Sequence, residues 1–495
     1  MANMTRSKPE AVPDGSVKKT SRHLSRREAL AAAGLGALSA LLSGDTPQPS
    51  AEQCQDHEND SFQPVVVRLG VVALNAAGFE PGKSNEEIFE EVHVHTSRIT
   101  HTTRGAYQFH MTEFVCNTAP DSTRTKEDGT TEYYYSNDQI KKIAEEYREQ
   151  LDVQDGEHSL MLMAVNTAGV ENDVLGLAFQ STDEDKAKGG NGPMVLVLSN
   201  KTGGNVYSHE IGHVLSRDEK NGDPSKEKQF GKGMGHEMVM DCLITDAEGN
   251  ITQYCAVDTI QQLLAMGCGL SKRDKSDAVN EYASPVTVMG NSMVYTDADT
   301  KVSQVTNEVT TTEEHKPIYS PAELTFLDSR LQVECTTSTD GRYPLSYDFR
   351  KRFALAYSLP ADHALKTILP KADTLVFAPI IEYIDKDTPF DSTDLDAVQR
   401  RIGVFATWDN GRGTALLDVS LFNKIDYSGK KENVIYADEQ LGLVAVSGYD
   451  KKTKSEYVRV VSLSSQEGTT LLDEARTRTA ERNQLLLKPK QSNER

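Results

Sequence analysis

Ser208-His209-Glu210-Ile211-Gly212-His213-Val214-Leu215 is the stretch around which the chain is organised, and it reads H-E-x-x-H. On a helix, residues four apart lie on one face, so the imidazoles of His209 and His213 reach toward one point. Zinc takes imidazole nitrogen at about 2.0–2.1 Å, and a catalytic site keeps a further position for water. Glu210, directly after the first histidine, then stands where it can take a proton from that water. The blander reading is a surface helix with two unconnected histidines, and the flanking sequence weighs against it.

Upstream the pattern becomes globular at Pro64. Val65 to Leu74 is nearly continuous apolar and β-branched, as in a strand buried on both faces. Residues 85–104 place Ile88, Val92, His95 and Ile99 at helical spacing, and a strand is expected from Tyr107 to Val115. His93, His95 and His101 do not converge on one helix face and read as structural or solvated. Residues 117–136 read as a polar loop, and Asp138 to Leu151 as an amphipathic helix. Strands are expected at Ser159 to Val165, Gly176 to Gln180 and Met194 to Ser199, before Gly203-Gly204-Asn205 turns the chain into the histidine helix. This order predicts a mixed α/β sheet with the site on a long central helix.

The 495 residues suffice for two or three domains. A net charge of −21, from 53 basic and 74 acidic residues, argues against broad nucleic-acid or anionic-membrane binding. In residues 1–44 a basic stretch ends in Arg26-Arg27 and is followed by an apolar run from Ala29 to Leu42. That run is shorter than the roughly 20 residues of a membrane span, and the paired arginines resemble a twin-arginine export signal. The protein is therefore expected outside the cytoplasm, as an extracellular, cell-surface or periplasmic chain with no stable membrane span once the signal is removed. Residues 45–63 are polar, a linker or short propeptide. Six cysteines in an exported chain suggest disulfides, with a local bridge among Cys242, Cys255 and Cys268.

A catalytic zinc site needs a third protein ligand. The pattern H-E-x-x-H-x-x-G-x-x-H fails here, with Ser216 in place of Gly and Glu219 in place of His. Asp218, Glu219 and His236, the last after a charged loop, are the candidates. Downstream of His236 come Cys242, Glu248-Gly249-Asn250, Cys255 and then Glu281-Tyr282-Ala283-Ser284-Pro285-Val286-Thr287-Val288-Met289-Gly290-Asn291. This succession resembles the gametolysin-like branch of the metzincin zinc metallopeptidases, over roughly residues 64–330. The resemblance implies His236 as third ligand and Met289, with Met293 as its rival, as the methionine of a tight turn beneath the zinc. It also makes Gly176, Leu177, Ala178 and Phe179 the edge strand along which an extended peptide aligns. Tyr295, beyond the methionine, would stabilise the tetrahedral intermediate. The charged loop between His213 and His236 departs from the family's compact turn.

The residues from His315 to Leu327 read as a turn and a short helix closing a zinc-peptidase domain over 64–330. Beyond it, Thr374 to Ile381, Arg401 to Thr407, Thr414 to Leu421, Leu443 to Ser447 and Tyr457 to Leu463 read as short strands of a β-sandwich over 331–470. This second domain reads equally as a packing appendage or a binding module. His363 and Trp408 carry no assignment, and residues 471–495 read as a polar tail, a frayed helix running into disorder. The chain as a whole reads as an exported zinc-dependent endopeptidase with an α/β metzincin-like domain, a Zn2+ cofactor and protein or peptide substrates. Two rivals stand beside it: a zinc-stabilised surface-binding protein without turnover, and a zinc hydrolase of a non-protein substrate.

Overall fold

The computed structural model describes residues 64–486 except 77, 104, 172–173, 180–191, 202–204, 217–229, 242, 246–250, 255–257, 273–277, 283, 285–286, 291–318, 328–340, 346–353, 384–397, 410, 418–424 and 454. The expected export segment, the polar stretch before Pro64, Asp218, Glu219, Met293 and Tyr295 lie outside the described residues. So do Cys54, Cys242, Cys255 and Cys335, and with two of its three cysteines there the local bridge is not described. Cys116 is a free, buried thiol. No helix among the described residues is long and apolar enough to cross a membrane.

The described residues open with strand β1 (Val65–Leu74), helix α1 (Asn85–Thr102) and strand β2 (Tyr107–Cys116). Strands β3 (Ser122–Thr125) and β4 (Thr131–Tyr135) precede helix α2 (Asn137–Arg148), then β5 (His158–Val165), β6 (Gly169–Val170), β7 (Gly176–Phe179) and β8 (Met194–Val197). Five of these form one sheet in the order β2-β1-β5-β8-β7, parallel except for β7, which runs antiparallel at the edge. The apolar run of β1 divides by alternation between two cores. Val67, Leu69 and Val71 pack with Ile88, Val92 and Ile99 of α1, whereas Val72 and Leu74 pack with Ile140 and Ile143 of α2. The sheet is therefore covered on both faces, as its parallel strands require.

Helix α3 (Asn205–Gly212) follows, then β9 (Glu237–Asp241), β10 (Leu243–Thr245), β11 (Ile251–Tyr254), α4 (Ile260–Ala265), β12 (Gly269–Leu270) and α5 (Pro321–Leu327). Strands β13 (Gly341–Leu345), β14 (Leu355–Ser358), β15 (Thr374–Tyr383), β16 (Val398–Trp408) and β17 (Gly413–Leu417) come next. The described residues close with β18 (Asn433–Asp438), β19 (Leu443–Asp450), β20 (Ser455–Ser462) and α6 (Gln466–Leu486). A six-stranded mixed sheet runs β12-β9-β17-β16-β15-β14, and an antiparallel four-stranded sheet runs β13-β20-β19-β18. Leu375 and Phe377 face Ile435, Ala445 and Val458 across a sandwich-like core. The alternate residues Val376 and Ala378 face the opposite way, into the same core as α1 and α3.

Four features differ from the sequence reading. The polar loop expected at 117–136 contains the hairpin β3–β4, whose Tyr135 is fully buried; cross-strand pairing of Thr and Tyr outweighs the polar composition. The histidine helix is not long: α3 has 8 residues. The stretch expected as a tail begins inside α6, a 21-residue helix that packs Leu472 and Ala475 on Val434, Ala437, Val444 and Val446. Finally, the boundary expected at residue 330 is crossed by a sheet, because β9 pairs in parallel with β17.

His363 is buried and its Nδ1 accepts the Leu365 N–H, so its Nε2 donates to Asp438 Oδ2 at 2.8 Å. Tyr436 Oη donates to the same oxygen at 2.8 Å, and Gln261 of α4 donates to Oδ1 at 3.0 Å. Burial pushes the Asp438 carboxyl upward, but the His363 and Gln261 bonds outweigh it and hold the group below its ordinary range. A carboxyl depressed in the folded state contributes stability above its unfolded pKa, about 3.9, and loses it as pH falls through the folded value. Asp438→Ala is expected to cost about 1–3 kcal/mol near neutrality for each buried donor it leaves unpaired. In urea denaturation the gap from the native chain should shrink on acidification below about pH 4.

Candidate metal centre

The site is built at the C-terminal end of α3. His213 lies one residue past the helix, but its N–H still bonds the His209 carbonyl at 3.3 Å, which preserves the helical offset. The two rings stand nearly perpendicular with centroids 4.7 Å apart. His209 Nδ1 lies 2.6 Å from Val288 O, and His213 Nδ1 lies 2.8 Å from Met234 O. A carbonyl oxygen only accepts, so each Nδ1 carries its hydrogen. Burial foremost, with His213 and His236 close by, pushes His209 down to about 3 against the Val288 bond, so its ring is neutral. His213 is lowered too, chiefly by burial, with Arg412 adding to the effect and the Met234 bond opposing it.

Neutral rings with hydrogen on Nδ1 present lone pairs at Nε2, and these two Nε2 atoms are 3.1 Å apart. Neither can donate to the other, so a cation between them satisfies both. The His236 ring completes the cluster, with centroids 4.7 Å from His213 and 5.3 Å from His209. The three donor atoms lie within 4.8 Å of one another, and the group can hold one metal ion.

His236 arrives after a return of the chain along the end of α3. Gly231 N–H bonds Val214 O at 2.9 Å, Gly233 N–H bonds His213 O at 2.8 Å and Met234 N–H bonds Gly212 O at 3.0 Å. Whatever the length of the charged loop, these bonds restore the proximity that a compact turn would give. Glu281 Oε2 lies 3.5 Å from His236 Nδ1, and the Tyr282 ring lies over the imidazole at 4.0 Å. Tyr282 is 41% exposed, which puts its ring at the mouth of the site.

Glu210 is buried beside His209, and its carboxylate lies against Gly176, where a Cβ would overlap it. Its Oε2 is buried without a hydrogen-bond partner, and burial pushes the carboxyl up to about 8. An unsatisfied buried carboxyl is costly and calls for a reason. Its neighbour β7 is the edge of the five-stranded sheet, with Leu177, Ala178 and Phe179 continuing away from Gly176. Met289 is fully buried against the end of α3, where a Cβ on Gly212 would stand 2.6 Å from its sulfur.

The structure therefore brings together His209, Glu210, His213, His236, Met289 and Gly176. His95, read as structural, is buried with Nδ1 2.7 Å from Ser208 Oγ, directly before the first histidine. Glu281 and Tyr282 stand in the motif around Met289 without any signal of their contact with His236. The chain matches no protein-family model, and no curated protein matches it.

The cluster is expected to bind one divalent ion per chain. At an ion concentration about a hundred times its Kd, the unfolding free energy should rise by about 2.7 kcal/mol. His213→Ala should abolish this shift, which calorimetric melts with and without added ion will measure.

Proposed function

We propose that this protein is a zinc-dependent endopeptidase. The observation that carries the reading is Glu210: a buried carboxyl with no partner at Oε2 among the described residues, lodged between a three-histidine cluster and the edge strand β7. A purely structural metal site has no use for such a group. Zinc is the proposed ion because three neutral imidazoles suit a borderline-soft cation and leave a coordination position for water. The resemblance of the segment around Met289 to gametolysin-like metzincins favours the same conclusion.

His209, His213 and His236 would hold the ion. When bound, zinc supplies a Lewis acid for the scissile carbonyl and lowers the pKa of water. Glu210 takes the proton of the attacking water on Oε2 and returns it to the departing amide nitrogen. Among the described residues no strand pairs with the outer edge of β7, and an extended peptide aligned there would bring its scissile bond beside Glu210. That edge favours a peptide over another hydrolysable substrate. Export through a twin-arginine route accords with the amino-terminal sequence and belongs to the same proposal.

Zinc content and casein cleavage, measured on the full chain, test the reading. Glu210→Ala should retain zinc and lose about 10²–10⁴-fold in cleavage rate, and His236→Ala should lose both. A zinc-loaded wild-type protein that cleaves nothing, or a fully active Glu210→Ala, overturns the proposal. Gly176→Ala gives a finer measurement. The new methyl displaces the Glu210 carboxylate, and a shift of about 1 Å costs about 10²-fold in rate with zinc content unchanged.

A further inference from the structure

His236 is held from both sides by a hairpin that lies far along the chain. Gly233 and Gly235 precede it in the loop that returns from α3, and Glu237 follows it as the first residue of β9. Arg412, in the turn between β16 and β17, donates from Nε to Gly233 O at 3.0 Å, across a separation of 179 residues. Its carbonyl accepts the Gly235 N–H at 2.8 Å. Two residues later Thr414 pairs with Glu237 in the parallel register of β17 and β9, and its hydroxyl donates to Glu237 Oε2 at 3.1 Å.

The turn that presents Arg412 is itself fixed. Gly411 N–H bonds Trp408 O at 3.1 Å, Arg412 N–H bonds Asp409 O at 3.2 Å, and Asp409 adopts the left-handed region at φ 55°. An aspartate tolerates that conformation better than most residues. A loop with glycines at 231, 233 and 235 has little stiffness of its own. The other two histidines ride on α3 and the turn that closes it, whereas His236 depends on what grips its loop.

We propose that Arg412 is a positioning residue for His236, so that the segment after residue 330 completes the metal centre instead of serving as an appendage. The inference rests on the metal-centre reading and extends it. The guanidinium Nε–H points along a fixed planar fork, which a lysine ammonium does not reproduce. Both Arg412→Lys and Arg412→Ala therefore release Gly233 O, and the lysine variant does so with the charge kept.

The test uses the full chain loaded with Co2+ in place of zinc, as wild type, Arg412→Lys, Arg412→Ala and His236→Ala. Co2+ affinity is measured by chelator competition, the visible spectrum of the bound ion is recorded, and metal-free protein is unfolded thermally. Both Arg412 variants are expected to lose about 10–100-fold in Co2+ affinity. Their spectra should shift toward that of His236→Ala, while metal-free Arg412→Lys unfolds as the wild type does. Wild-type affinity and spectrum in Arg412→Lys overturn the role of Arg412 alone, and so does a loss confined to unfolding. If Arg412→Ala fails to fold, Arg412→Lys decides the matter. A wild type that takes up no Co2+ overturns the metal-centre reading, and this inference falls with it.

Discussion

Two backbone carbonyls, Val288 O and Met234 O, aim the imidazoles of His209 and His213 at one point. Each takes the hydrogen on Nδ1 and leaves Nε2 as a lone pair, so the donor set exists before any ion arrives. This arrangement requires the chain to pass the end of α3 twice more, once at Met234 and once at Val288. The intervening architecture can be understood as what brings those two passes to the helix and holds them there.

Much of that holding is done by buried polar groups. Glu237 is fully buried; its carboxyl accepts from Ser284 at 2.5 Å, Ser320 at 2.7 Å and Thr414 at 3.1 Å. Its neighbour in the network, Glu323, accepts from Thr287 at 2.5 Å and from the Ser320 N–H at 2.7 Å. Burial pushes Glu237 up to about 7 against the pull of its three hydroxyls. Burial, with Glu237 adding, pushes Glu323 well above the carboxylate range against its bonds from Thr287 and Ser320. The donors come from the segment before Met289, the start of α5 and β17. The network thus ties the strand after His236 to the turn at Met289. Breaking one such bond inside the core leaves an unsatisfied group, which costs more than the bond contributed.

Much of the fold was legible because its signals are local. The apolar alternation of Val65 to Leu74, the amphipathic spacing of Ile140 and Ile143, and the β-branched runs after residue 374 each report a periodicity of a few residues. The hairpin of residues 122–135 was missed, since its strands are polar and only pairing stabilises them. The extent of α6 was missed for a related reason: its apolar contacts are few, and the sheet on which they pack makes them decisive.

The H-E-x-x-H spacing by itself determined that two imidazoles and a carboxylate share one helical end, because the helical period is a property of the local chain. His236 and Met289 entered through resemblance, and only the tertiary structure decides that His236 stands within reach of the other two rings. The contact of Glu210 with Gly176, the Tyr282 ring over His236 and the Arg412 grip on Gly233 had no signature in the chain. They join residues far apart in sequence, and such contacts depend on strand register and loop return, which are settled only when the sheets pair and the cores close.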